Sequence, residues 1–133
     1  METENYILCI GEEEDDCSFM SQAISSLDPS IKVRYEYTGN KGISYLTETY
    51  DTYSSLPKLI VIDLEMPGMN GKEMLARIRK IPHLQNIPVL FLSNNPEELD
   101  EQFLEKHHVA ILRKPFTMDG YNKIAETIIY SLI

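Results

Sequence analysis

Four short stretches of the sequence carry side chains that could do chemistry together. An acidic run covers residues 12–16, a further acid stands at Asp63, a hydroxyl at Ser93 and an ammonium at Lys114. Clustered carboxylates repel one another, so a divalent cation is the natural way to hold them together, and their oxygen ligands suit Mg²⁺. An aspartate beside that cation could act as a nucleophile towards phosphorus, while the lysine and the hydroxyl neutralise charge on the phosphoryl oxygens. These residue types indicate phosphoryl transfer, provided that the fold brings them to one place.

Each of the four stretches follows a predicted β-strand. Short apolar runs alternate with helical patterns along the chain, and several of the runs are too short for a buried helix. Runs that are apolar throughout are typical of parallel strands covered on both faces. The alternation predicts (βα) repeated five times, an α/β fold with a doubly wound, five-stranded parallel sheet. The predicted strands lie at 6–10, 31–37, 59–62, 89–92 and 109–112.

Apolar residues spaced three and four apart predict a helix after each strand. Residues 95–98 could open the fourth helix, with Pro96 near its start, and Thr117 is placed to cap the fifth. In folds of this class, ligands bind outside the carboxyl ends of the strands. The acidic run, the aspartate, the serine and the lysine are therefore expected to meet at one edge of the sheet.

Composition excludes several classes of protein. A chain of 133 residues with 43% apolar residues can build one core, and a second domain of ordinary size has no room. The formal charge of 12 − 21 = −9 disfavours contact with nucleic acid or anionic lipid. No signal peptide or apolar run of the roughly 20 residues that a membrane span needs is present, so no membrane insertion is expected. Cys9 and Cys17 form no metal-binding pattern and suit free thiols in a reducing cytoplasm.

The nonapeptide DLEMPGMNG, residues 63–71, resembles the D-x-x-M-P-G-M-x-G signature of response regulator receiver domains, the phosphoacceptor modules of two-component signalling. Ser93 stands where that family has a serine or threonine, and Lys114 with Pro115 matches its Lys-Pro pair, in which the proline follows a cis peptide bond. The similarity covers essentially the whole chain. It implies a flavodoxin-like sheet with strand order 2-1-3-4-5 in a chemotaxis-regulator-like single receiver domain over residues 1–133, without an output domain.

The resemblance also implies a role for each matching residue. Asp63 corresponds to the phosphorylated aspartate and, with Glu12, to a carboxylate ligand of Mg²⁺ or Mn²⁺. Glu65 corresponds to the position whose backbone carbonyl binds the same ion. The Ser93 hydroxyl and the Lys114 ammonium correspond to the groups that contact the phosphoryl oxygens.

Three positions depart from the family pattern. Receivers carry two adjacent acids after the first strand, and here Gly11 and Glu12 take those places, so the metal is expected to bind weakly. A register shifted by one residue would instead supply Glu12 and Glu13, but it would put Gly11 inside the strand. Ile111 replaces the aromatic residue three positions before the lysine, and Asn94 replaces a small residue after the serine.

The expected function is that of a stand-alone cytoplasmic response regulator, which is not an enzyme beyond its own phosphoryl transfer and autodephosphorylation. Its expected partners are a sensor histidine kinase or a histidine phosphotransfer protein, and a downstream target protein. The alternative is a degenerate receiver that docks to proteins without phosphorylation, favoured by Gly11 and Ile111. A flavodoxin-like electron carrier is disfavoured because residues 12–16 would repel a flavin phosphate. A haloacid-dehalogenase-type phosphatase would need a second aspartate where Glu65 stands.

Overall fold

The computed structural model describes residues 5–51 and 56–133, which contain five strands and five α-helices. The strands are β1 (Tyr6–Ile10), β2 (Lys32–Glu36), β3 (Leu59–Asp63), β4 (Val89–Ser93) and β5 (Val109–Arg113). The helices are α1 (Glu14–Leu27), α2 (Gly39–Asp51), α3 (Gly71–Arg79), α4 (Glu101–His107) and α5 (Met118–Thr127). Short 3₁₀ turns occupy Pro82–Leu84 and Pro96–Glu98, and α5 continues into a π-helical turn at Ile128–Leu132. Residues 52–55, which precede β3, lie outside the described ranges.

The five strands form one parallel sheet in the order β2-β1-β3-β4-β5, as predicted. Every residue of β1 and β4 and the first four of β3 are buried, because helices cover both faces of these central strands. The register pairs Asp63 with Leu92 and Ser93 with Arg113. The carboxyl ends of β3, β4 and β5 therefore lie side by side at one edge.

Alternate residues of the central strands belong to two separate cores. Leu8, Ile60 and Phe91 pack in the layer that includes the apolar faces of α2 and α3. On the opposite face of the sheet, Cys9 and Val61 belong to the core that is covered by the apolar faces of α1 and α5. The doubly wound arrangement fixes the sheet from both sides, so that the loops after the strands are presented on a rigid base.

The starts of two helices test the predictions from local sequence. Thr117 caps α5 as predicted, since its hydroxyl accepts a hydrogen bond from the Gly120 amide at 3.1 Å. The predicted opening of α4 at 95–98 was wrong. Pro96–Glu98 form a 3₁₀ turn, and the buried Leu99 that follows has an extended backbone. Helix α4 begins only after Asp100, whose carboxylate accepts a hydrogen bond from the Phe103 amide at 2.8 Å.

No helix within the described ranges has the length and apolar character required to cross a bilayer.

Candidate functional site

An ion pair between Asp63 and Lys114 lies at the centre of the site. The Lys114 Nζ atom is 2.7 Å from Asp63 Oδ2, and the two side chains are only 17% and 11% exposed. The Glu65 amide donates to Asp63 Oδ1 at 3.0 Å, so both carboxylate oxygens have a hydrogen-bond donor. Aspartate and lysine, 51 residues apart in sequence, meet here as the sequence predicted.

The strand ends hold this pair in place. The Lys114 amide donates to the Ser93 carbonyl at 2.9 Å, which continues the ladder between β4 and β5 by one residue. This hydrogen bond fixes the direction in which Lys114 leaves the sheet. The expected cis bond before Pro115 was wrong, since no peptide bond in the described ranges is cis, and the lysine reaches Asp63 from a trans backbone.

The loop after Asp63 is shaped by its glycines. Gly68 has φ +81°, a left-handed conformation that side chains disfavour. At Gly71 a Cβ atom would lie 2.8 Å from a Leu64 side-chain carbon and 3.0 Å from Phe91, so only glycine lets α3 begin this close to the sheet. Asn70 then caps α3 by accepting from the Glu73 amide at 3.0 Å. The signature sequence thus fixes the backbone next to Asp63.

Ser93 is fully buried at the end of β4. Its hydroxyl oxygen accepts from the Asn95 amide at 2.9 Å and faces a Glu98 carboxylate oxygen at 3.4 Å. The serine therefore lies at the strand end beside Asp63, as predicted, but its hydrogen bonds go to the loop that follows it.

The acidic side chains after β1 do not all lie beside Asp63. A Cβ atom on Gly11 would lie 3.5 Å from the Asp63 Cβ atom, so position 11 faces the aspartate directly. Glu12 is exposed, whereas Glu13 and Asp16 line the cavity beside Asp63. Within 5–51 and 56–133, no group of three or more His, Cys, Asp or Glu side chains is arranged to hold a metal ion.

The available donors suit a hydrated hard cation. By the resemblance to receiver domains, the carboxylates of Asp63 and Glu12 and the backbone carbonyl of Glu65 would be the ligands, and all three offer oxygen atoms. Mg²⁺ keeps several waters and needs only one or two carboxylates from a protein. These oxygen donors therefore fit Mg²⁺. They include one carboxylate fewer than a chain with an acid at position 11 would offer.

The inner wall of the cavity is apolar and contains two free thiols, Cys9 and Cys17. Burial, and then the negative charges of Asp16, Asp63 and Glu14, raise the pKa of Cys17 to about 11. Burial also raises the pKa of Cys9. Both thiols are therefore protonated at neutral pH and act as apolar packing groups.

Asp16 has a structural partner that the sequence did not reveal. The Tyr121 hydroxyl on α5 donates to its Oδ1 atom at 2.7 Å, and the Tyr121 ring lies 5.6 Å from that of Phe19 on α1. The two residues are 105 positions apart in the sequence, so no local pattern pointed to this pairing.

The comparisons with known proteins agree with this geometry. The family model of the response regulator receiver domain matches residues 7–126. The chain therefore belongs to the response regulator receiver domain family.

Individual relatives are distant. The chain is 24% identical over 123 residues to a probable methanogenesis regulatory protein, FilR2, of Methanothrix harundinacea, covering 92% of this chain and 79% of the relative. It is 36% identical over 80 residues to the transcriptional regulatory protein CpxR homolog of Haemophilus influenzae, covering 59% of this chain and only 32% of the relative. Among solved structures, the phosphorylated cyanobacterial phytochrome response regulator RcpA superposes with a TM-score of 0.80 at 25% identity, covering 98% of this chain and 97% of RcpA.

Proposed function

We propose that Asp63 is the phosphoacceptor of this receiver and takes its phosphoryl group from the phosphohistidine of a sensor kinase or a phosphotransfer protein. The observation that carries the proposal is the 2.7 Å contact between Lys114 Nζ and Asp63 Oδ2, with the Glu65 amide on Oδ1. A carboxylate oxygen attacks phosphorus, the P–N bond to the donor imidazole breaks, and the imidazole leaves with the electron pair. Lys114 is placed to neutralise charge on the transferred group.

The cation proposed for this reaction is Mg²⁺ or Mn²⁺. The Asp63 carboxylate, the Glu12 carboxylate and the Glu65 carbonyl would hold it, and it would neutralise negative charge on the phosphoryl oxygens. Because Gly11 offers no carboxylate although its position faces Asp63, we expect weaker cation binding than in receivers with an acid at this position.

The proposed output is contact with a downstream protein, not with nucleic acid. The net charge of −9 disfavours binding to phosphate backbones. The free thiols of Cys9 and Cys17 suit the cytoplasm, where we place the protein, acting as a single receiver unit. Phosphoryl transfer and hydrolysis at its own Asp63 would be its only chemistry.

A second candidate function is phosphorylation-independent docking. It is favoured by the absence of a carboxylate at Gly11, whose position faces Asp63, and by the exposure of Glu12. It is opposed by the intact pairing of Asp63 with Lys114.

One experiment separates the two candidates. The protein is incubated with acetyl phosphate and Mg²⁺, and its mass is measured in the parent and in Asp63→Asn. The phosphoacceptor proposal expects a single phosphoryl adduct on the parent and none on the variant. An unmodified parent under these conditions would favour the docking module.

A further inference from the structure

The backbone of Asn94, the residue after Ser93, is held by charged side chains on both its N–H and its carbonyl group. The Asn94 amide donates to a Glu65 carboxylate oxygen at 2.5 Å, and the Asn94 carbonyl accepts from the Arg113 guanidinium at 2.8 Å. Glu65 comes from the loop after β3, and Arg113 is the last residue of β5. We call this arrangement of Glu65, Asn94 and Arg113 the Asn94 clamp.

The clamp extends into the loop between β4 and α4. Arg113 also donates to the Glu97 carboxylate at 2.9 Å, in the 3₁₀ turn of that loop. Both hydrogen bonds of the Asn94 clamp join a charged side chain to a backbone group, which makes them stronger than hydrogen bonds between neutral groups. The backbone after Ser93 is consequently fixed from two sides.

Ser93 itself is bound within the same loop. Its oxygen accepts from the Asn95 amide at 2.9 Å, and its second neighbour, Glu98 Oε1, lies 3.4 Å away. In the part of the chain that the structure describes, the hydroxyl is hydrogen-bonded to these loop groups and not to Asp63 or Lys114. A hydroxyl has a single proton, so Ser93 can donate to a phosphoryl oxygen on Asp63 only after it turns from Glu98.

From this geometry we infer that Glu65 and Arg113 are positioning residues, which hold the Asn94 backbone and keep the Ser93 hydroxyl in its resting arrangement. The inference rests on the proposed function of Asp63. The clamp favours the resting arrangement because Glu65 holds the peptide unit that joins Ser93 to Asn94, and Arg113 holds the unit that carries the Asn95 amide, the donor to the Ser93 oxygen. Weakening the clamp should therefore let Ser93 reach a group on Asp63 more readily, and should strengthen the binding of a phosphoryl analogue.

The test measures the affinity of the full chain for beryllofluoride with Mg²⁺, by titration calorimetry. Arg113→Ala should bind the analogue about three- to tenfold more tightly than the parent, which is the range for loss of one hydrogen bond of ordinary net strength. Arg113→Lys should fall between them, because an ammonium can restore one of the two contacts. Arg113 is 56% exposed, so these variants are expected to fold.

Glu65 provides a second, matched pair of variants. Glu65→Ala and Glu65→Gln remove the same charge, but the amide oxygen of glutamine can still accept from the Asn94 amide. The increase in affinity should therefore be larger for the alanine variant. As a control, Glu97→Gln weakens the ion pair with Arg113 and leaves the bond to the Asn94 carbonyl, so its effect should stay within about twofold.

Serine substitution decides whether the clamp acts through Ser93. In a Ser93→Ala background, Arg113→Ala should have no further effect on affinity for the analogue. The inference is overturned if Arg113→Ala binds no more tightly than the parent, or if its effect persists without the serine. Failure of the proposed function would look different: the parent would then form no phosphoryl adduct with acetyl phosphate.

Discussion

Lys114 Nζ and Asp63 Oδ2 are 2.7 Å apart across the carboxyl end of β4, which lies between their two strands. Both side chains are less than one-fifth exposed, so their attraction is screened less by water than that of a surface ion pair. The pair places a fixed positive charge beside the carboxylate that we propose as the phosphoacceptor. Its first consequence concerns the rate of phosphorylation.

Replacing Lys114 by alanine should slow phosphorylation of Asp63 by acetyl phosphate by on the order of 100-fold, the usual cost of losing a group that stabilises developing charge. The adduct is followed by mass spectrometry over time with Mg²⁺ present. Lys123→Ala is the matched control, because it removes the same charge from an exposed position on α5. Equal phosphorylation rates in the two variants would show that Lys114 acts only through the net charge of the protein and not through its position beside Asp63.

Restoring a carboxylate at position 11 should strengthen cation binding. A Cβ atom at Gly11 would make ordinary contact with the Asp63 Cβ atom at 3.5 Å, so this first atom of the Gly11→Asp side chain displaces no neighbour. Affinity for Mg²⁺ should rise by about tenfold, since affinity follows the number of charged ligands. Gly11→Ala adds the same Cβ atom without the charge, and titration calorimetry of both variants separates the two effects. An equal gain in Mg²⁺ affinity in Gly11→Ala would show that the loss of glycine, and not the added carboxylate, causes the change.

The strand order was implied by the resemblance to receiver domains. The parallel sheet and the meeting of Asp63 with Lys114 follow from general rules, because apolar runs of strand length mark a parallel sheet and the residues after each strand lie at its carboxyl edge. These rules predict that the residues after the strands lie at the same edge of the sheet. They do not predict which hydrogen bonds form there.

The parts that could not be predicted depend on packing between distant segments. Tyr121 and Asp16 are 105 residues apart, and their hydrogen bond exists because α1 and α5 pack against the same face of the sheet. The Asn94 clamp depends on one side chain from the loop after β3 and one from the end of β5, which meet the backbone after β4. The prediction of where α4 begins was wrong for a local reason. A proline followed by two glutamates suits a 3₁₀ turn as well as the first turn of an α-helix.

The hydrogen bond from Tyr121 to Asp16 should contribute to stability. Tyr121 is 3% exposed, and a hydrogen bond to a carboxylate at 2.7 Å is in the stronger class, so Tyr121→Phe should lower the free energy of unfolding by about 1–2 kcal/mol. Urea denaturation measures the change, and Tyr130→Phe, at a position 75% exposed, should change it by less than about 0.5 kcal/mol. In an Asp16→Asn background the cost of Tyr121→Phe should shrink, because the charged acceptor is gone. An undiminished cost there would show that the Tyr121 hydroxyl stabilises the fold through a group other than the Asp16 carboxylate.

The thiol of Cys17 should react slowly until the solution is strongly alkaline. Burial and nearby carboxylates raise its pKa from 9.0 to about 11, so at pH 9 only about 1% of the folded protein carries the reactive thiolate. Alkylation by iodoacetamide, followed by peptide mass spectrometry, should therefore accelerate as pH rises through 11, and unfolding in urea should move the acceleration to near pH 9. Because the folded state holds this proton more tightly, its contribution to stability is complete below pH 9 and is lost between pH 9 and 11. Rapid labelling of the folded protein at neutral pH would contradict the burial of Cys17 against Asp63.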